Sequence, residues 1–162
     1  MKYCYHCGCK LEDRYLENEG MIPYCPSCRE YRFPIFSTAV SMVILNSDRT
    51  KTLLIKQYGK GFNRLVAGYI NKGESAEEAL VREMKEEIGI EPIEYHFQKT
   101  KYFPKSNTLL INFYLIVATM EVKPNYEIDS YAWYDVDKGL EALEGASLAK
   151  EFYNHYINNR KE

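Results

Sequence analysis

A chain of 162 residues with 46% hydrophobic residues has the length of one ordinary domain with a small appendage, and it can bury a real core. Its formal net charge of -2, with acidic and basic residues mixed, gives no electrostatic basis for gripping a nucleic-acid duplex or for a polybasic membrane anchor. No apolar run approaches the roughly 18 residues that span a bilayer, and MKYCYHC has no signal-peptide core, so a cytoplasmic protein without membrane contact is expected.

In chain order, the cysteines come first. Cys4 and Cys7, then Cys25 and Cys28, form two Cys-x-x-Cys knuckles. Their separation suits a tetrahedral four-thiolate zinc site, in which each knuckle places two sulfurs on one side of the ion. A pair of disulfides is the alternative, but nothing in the chain points to an oxidising compartment. Cys9 is left over and His6 lies between two ligands; both are read as bystanders. Such a short segment cannot build its own apolar core, so bound Zn²⁺ would supply its folding energy. Residues 1–32 are therefore expected to form a zinc ribbon, with short hairpins around EDRYLENEGMIPY, and residues 33–162 the main domain. The ribbon's charges balance, with Glu12, Asp13, Glu17, Glu19 and Glu30 against Lys2, Lys10, Arg14, Arg29 and Arg32, which is unlike a nucleic-acid grip.

CREYRFP leads into the main domain. FSTAVSMVILN reads as a strand, Asn46 to Asp48 as a turn, and TLLIKQY as the partner strand. A loop with Gly59 and Gly61 precedes RLVAGYI, a short strand that delivers the chain into GYINKGESAEEALVREMKEEIGI, Gly68 to Ile90. There Ser75 followed by Glu78 is a capping box, and Gly89 closes the helix that it starts. Pro92 prevents continuation, and IEYHFQKTKYF is extended. LLINFYLIVATMEV is a long buried strand, and IDSYAWYDV another. GLEALEG is read as a short helix and SLAKEFYNHYINN as a terminal one, with Leu148, Phe152 and Tyr156 recurring along one face. Strands on both sides of a central helix, with another helix at the end, predict an α/β fold with helices on both faces of a mixed sheet.

The acids of the central helix point to chemistry. At about 100° per residue, Ala76, Leu80, Met84 and Ile88 share an apolar stripe, Glu87 falls inside it, and Glu83 and Glu86 lie along its edge. Carboxylates beside an apolar face repel one another and lose solvation unless something positive sits between them. Arg82 is expected to project to the opposite side, which leaves a divalent cation with oxygen ligands, or else an ordinary solvated acidic face.

Gly68, Glu74, Arg82, Glu83, Met84, Glu86, Glu87, Gly89 and Ile90 match the Nudix box in every fixed position. The chain thus resembles the Nudix hydrolases. The resemblance covers most of residues 35–158 and implies an α/β/α sandwich that hydrolyses nucleoside diphosphates linked to another moiety. It implies Mg²⁺ or Mn²⁺ held by Glu83 and Glu87, with Glu86 and the Ala67 carbonyl as further ligands. Glu83 or a nearby acid would deprotonate the attacking water, and Glu74 would pair with Arg82 to tie the loop to the helix. Members often recruit an acid from outside the box, and Glu127, six residues before Trp133, is the candidate.

A ribbon directly before the box is similar to the zinc-ribbon NADH pyrophosphatases. Of that subfamily's downstream signature, Phe103, Pro104 and Ser106 match, whereas Gln98, Lys99, Thr100 and Lys101 replace its first residues. Phe33 stands where the subfamily usually has Tyr. Phe33, Phe103, Pro104 and Ser106 are accordingly the expected substrate-binding residues, and NAD(H) or an ADP-ribose-like compound the expected substrate, with a nucleotide cap of RNA as the only nucleic-acid partner. The ribbon is expected to be a scaffold for a homodimer or for the substrate pocket. The alternative is a non-catalytic nucleotide-sensing module whose ribbon contacts protein or nucleic acid.

Overall fold

The computed structural model of the protein describes residues 1–143 and 148–160. The chain divides into two compact units, Met1–Phe36 and Ser37–Glu162.

The first unit is a three-stranded antiparallel sheet of β1 (Glu12–Leu16), β2 (Gly20–Cys25) and β3 (Glu30–Tyr31), in that order. The expected hairpin around EDRYLENEGMIPY is β1 and β2. Its buried residues are Cys4, Cys25 and Arg32, so no apolar cluster holds it together. The two knuckles fold alike. The Gly8 N–H donates to the Cys4 carbonyl and the Arg29 N–H to the Cys25 carbonyl, each at 2.8 Å. Both turns need a left-handed residue, and φ is 75° at Gly8 and 59° at Arg29. Glycine takes this conformation freely, whereas a residue with a Cβ does so at a cost of about 1 kcal/mol. The Arg32 N–H still donates to Pro23, so the ribbon's hydrogen bonding runs to the residue after β3.

The second unit is built on β4 (Ser37–Leu45), β5 (Lys51–Gln57), β6 (Val66–Tyr69), β7 (Pro92–Phe103), β8 (Thr108–Val117) and β9 (Ile128–Asp135). The sheet order is β7-β8-β4-β5-β9, with β6 also paired to β4. The β4–β8 pairing is parallel and the others are antiparallel, which makes the sheet mixed, as expected. One edge of β4 serves two partners, β6 along Ala39–Met42 and β5 at Ile44 and Leu45. The sheet therefore splits between β5 and β6.

Helices cover both faces. α1 (Ala76–Glu83), prolonged by a π-turn at Met84–Ile88, lies on one, and α2 (Val136–Ala142) and α3 (Leu148–Asn159) on the other. Alternation along the strands divides the core: Val40, Met42, Ile44, Leu53 and Ile55 pack with Leu80, Met84 and Ile88, while Val43, Leu45 and Leu54 pack with Phe152, Tyr153 and Tyr156. Because both faces are covered, β4 and β8 read as nearly continuous apolar runs. Each such side chain contributes roughly 1.5–3 kcal/mol by leaving water.

Two expected boundaries move. The strand expected through Val122 ends at Val117, because its partner β7 begins at Pro92, opposite Val117, and offers no ladder beyond that point. The helix expected at GLEALEG starts earlier, at Val136; Glu144 and Gly145, and Ser147 at the expected start of the last helix, lie outside the described residues. Among the described residues no helix is long and apolar enough to cross a membrane.

Candidate active site

The site is built where the sheet splits. β6 carries the chain through Ala67 and Gly68 into the loop before α1, whose start is fixed by the expected capping box: Ser75 Oγ accepts from the Glu78 N–H at 3.1 Å, and the Glu78 carboxylate accepts from the Ser75 N–H at 2.8 Å. Gly89, with φ of 67°, closes the helix. Sequence reading predicts an α-helix throughout, yet its last turn is a π-turn. Such a widened turn recurs at functional sites, and here it carries Glu86 and Glu87 just after Glu83 ends the α-helical part.

Glu87 is only 5% exposed, beside the buried Met84 and Ile88. Burial first, then the negative charges of Glu83 and Glu127, pushes its carboxyl up to about 8, although Gln57 Nε2 donates to Oε2 at 3.1 Å. A carboxyl that is desolvated among like charges is a group a cation would stabilise. The Glu83 carboxylate rests against the backbone of Gly68, where a Cβ would overlap it. That contact explains why the position is glycine, and it leaves a carboxylate lying beside a strand end.

Arg82 does not project away from the acids, contrary to the helical-wheel expectation. Its guanidinium forks onto Glu74 at 2.7 and 2.9 Å and also donates to Glu83 Oε1 at 2.6 Å, Glu86 Oε2 at 3.1 Å and the Tyr69 carbonyl at 2.9 Å. A wheel plots Cα directions, whereas the long arginine arm curls along the helix surface. The expected Glu74–Arg82 pair is present, and Glu74 is held down to about 2 by the guanidinium and the Asn71 N–H. Arg82 thus reaches Glu83 and Glu86 but not Glu87.

Glu127 comes to the same cleft from the loop before β9. Tyr58 donates to its Oε2 at 2.8 Å, and that bond, with burial, pushes the Tyr58 hydroxyl up to about 12. Ala67, Gly68, Glu83, Glu86, Glu87 and Glu127 line one cavity of about 610 Å³, with Phe103 and Ser106 in its wall. Pro104 begins a short 3₁₀ turn and is not in that wall, because its ring fixes the turn between β7 and β8. Phe33 belongs to the first unit and is 51% exposed. The oxygen donors of this cavity and their shared negative charge fit a hard cation such as Mg²⁺ or Mn²⁺.

In the first unit, the sulfurs of Cys4, Cys7, Cys25 and Cys28 all lie within 4.8 Å of one another. Cys4 and Cys28 are 3.9 Å apart and Cys7 and Cys25 are 3.4 Å apart, against about 3.8 Å for the edge of a tetrahedron with Zn–S bonds of about 2.3 Å. All are free thiols, so the disulfide alternative is not the arrangement found. Burial would raise the Cys4 thiol, but the Arg32 guanidinium, 3.2 Å from Sγ, and the Cys7 and His6 backbones outweigh it and bring it down to about 5. The donor set fits Zn²⁺.

A model of the NUDIX domain matches residues 36–156. The chain belongs to the NUDIX domain family. Its curated relatives include proteins named NAD-capped RNA hydrolase NudC: that of Pseudomonas aeruginosa is 22% identical over 98% of this chain and 56% of its own length, and that of Stutzerimonas stutzeri 26% identical over 98% and 57%. The chain spans little more than half the length of these relatives. Among solved structures, a NUDIX hydrolase from Nitrosomonas europaea superposes with a TM-score of 0.65 at 18% identity, covering 99% of this chain and 92% of that one. The NUDIX domain of Shewanella oneidensis NrtR complexed with ADP ribose superposes at 0.66 and 16% identity, covering 83% and 92%. These likenesses agree with the NUDIX fold.

Three residues at the two sites escaped sequence reading. Gln57 and Tyr58 meet Glu87 and Glu127 across the split sheet, far away in sequence, and nothing in their neighbours distinguishes them. Arg32 counts in the sequence only as one of the ribbon's charges, although an arginine four residues after the last knuckle cysteine is a candidate donor to a thiolate.

Proposed function

We propose that the NUDIX unit is a Mg²⁺- or Mn²⁺-dependent hydrolase of the pyrophosphate bond in a nucleoside diphosphate-linked substrate of the NAD(H) or ADP-ribose kind, and that residues 1–32 form a structural zinc ribbon before it. One observation carries the reading: Glu87 is buried beside Glu83 and Glu127 in a cleft whose glycine leaves room for a carboxylate.

Glu83, Glu86, Glu87 and Glu127, with the Ala67 carbonyl, would hold the divalent ion, which when bound neutralises pyrophosphate charge and activates water. The remaining roles belong to the chain. Arg82, anchored on Glu74, keeps Glu83 and Glu86 in place. Gln57 occupies one oxygen of Glu87 and Tyr58 one oxygen of Glu127, so that the other oxygen of each is left for the cleft. One of the acids, Glu83 first, takes the proton of the attacking water. Phe103 supplies a ring for a base and Ser106 a hydroxyl for a phosphate oxygen. Cys4, Cys7, Cys25 and Cys28 would hold the zinc.

The substrate class is supported by names: the Pseudomonas aeruginosa relative is an NAD-capped RNA hydrolase, and the Shewanella NUDIX domain was crystallised with ADP ribose. NAD, an NAD cap and ADP-ribose share the adenosine diphosphate half and its pyrophosphate. A thiolate donor set for zinc suits a reducing compartment, which supports a cytoplasmic site of action.

The test is product analysis after incubating the full chain and Mn²⁺ or Mg²⁺ with NADH, NAD, ADP-ribose, diadenosine polyphosphates and nucleoside triphosphates. Release of adenosine monophosphate and nicotinamide mononucleotide from NADH is expected. Cleavage of another member only would move the substrate and keep the chemistry, and binding without cleavage of any would favour the sensing module.

A further inference from the structure

Arg64 lies just before β6, where its N–H and carbonyl bridge Ile55 at 2.8 and 3.1 Å and fix its backbone. Its guanidinium carbon sits 4.5 Å from the centroid of the Phe62 ring. Arg49, Arg82 and Arg160 of the same unit each pair with a carboxylate, but among the described residues Arg64 has none. Its Nε–H is buried and lacks an acceptor among those residues. A buried donor without a partner is costly, and in native proteins it signals a group that something else satisfies.

Arg64 lines a second cavity of about 420 Å³. This cavity adjoins the acid cleft, with Tyr58, Ala67 and Phe103 in the walls of both, and Gln57, which holds Glu87, faces it. Among the described residues no acid lines it, so there one chamber is acidic and its neighbour cationic. Because the two chambers share Tyr58 and Ala67, a ligand with its pyrophosphate at the acids has a path toward Arg64. The face of Phe62 there is taken by the guanidinium, which leaves a planar fork of donors, the geometry that matches phosphate oxygens.

We propose that Arg64 is a specificity-determining residue that binds a phosphate group of the substrate other than the scissile pyrophosphate, such as a phosphomonoester on a ribose. This rests on the pyrophosphatase reading above, but its first test does not require hydrolysis. Calorimetric titration of the full chain with adenosine 5′-monophosphate and adenosine 2′,5′-bisphosphate should show the bisphosphate binding about tenfold tighter or more. Arg64→Met, which keeps the contact with Phe62 and removes the charge, should abolish the preference, and Arg64→Lys should retain part of it. Equal binding of the two by the wild type, or a preference that survives in Arg64→Met, would overturn the proposal. A kinetic arm compares two dinucleotides that differ by one ribose phosphomonoester. Arg64→Met should raise KM for the phosphorylated one about tenfold and change kcat little. If the wild type cleaves both with one KM, the proposal falls while the hydrolase reading stands; if it cleaves neither, the hydrolase reading falls and the binding arm alone decides.

Discussion

The two units gather negative charge in opposite ways. In the ribbon, four sulfurs converge to within 4.8 Å, and the buried residues are two of those cysteines, Cys4 and Cys25, and an arginine that donates to Cys4. In the NUDIX unit, the acids are parcelled out to protein partners, Glu83 and Glu86 to Arg82, Glu87 to Gln57, and Glu127 to Tyr58, and a two-faced apolar core holds the framework. The difference teaches which fold needs an ion. Where the ligands are the core, the ion is a structural member; where a core already exists, the ligands can be lent to chemistry.

The sharpest way to break this comparison is Cys25→Ser. It should remove bound zinc, from one per chain to none, and unfold residues 1–32, while the sheet of the NUDIX unit keeps its amide protection in hydrogen exchange. Loss of protection in both units together would deny the ribbon its separate dependence on metal.

Gly68→Ala probes the other unit. The added Cβ occupies the space of the Glu83 carboxylate, which is the far end of a flexible side chain and not backbone, so the fold should survive. Displacing that acid by about an ångström should lower hydrolysis by about 100-fold, with the melting temperature nearly unchanged. Full activity would take Glu83 out of the site.

A smaller effect concerns the tie between loop and helix. Glu74 is depressed to about 2, so its pairing with Arg82 contributes stability above the ordinary carboxylate pKa, and that contribution is lost as pH falls toward 2. The urea-unfolding gap between wild type and Glu74→Gln should accordingly be widest near neutral pH and narrow on acidification. A gap independent of pH would mean that the charge of Glu74 does not matter.

The smallest effect returns to the ribbon. Arg29 holds the left-handed turn that Gly8 holds in the first knuckle, so Arg29→Gly should stabilise the zinc-loaded ribbon by about 1 kcal/mol. A destabilised variant would show that the Arg29 side chain contributes more than the backbone loses.

What could be read from sequence divides along physical lines. Capping box, closing glycine, knuckle spacing and apolar strand runs are local patterns, and each appears in the structure. The π-turn could not be read, because residues such as Met84–Ile88 suit an α-helix equally well and the wider hydrogen-bond register is set by packing and by the Lys123 and Asn125 N–H groups that bond to the Ile88 and Glu87 carbonyls. The reach of Arg82 is not legible on a helical wheel, because side-chain length is absent from it. Gln57, Tyr58 and Arg64 gain their importance only when the sheet splits between β5 and β6, a consequence of long-range pairing.

The most direct test of the account is Mn²⁺ binding to the zinc-loaded protein, followed by electron paramagnetic resonance, in wild type and Glu87→Gln. The account predicts that wild type binds Mn²⁺ and that Glu87→Gln, folded and still carrying zinc, binds it at least tenfold more weakly and hydrolyses little. Equal Mn²⁺ affinity in the two proteins would contradict the central claim that the buried acids form the divalent-metal site.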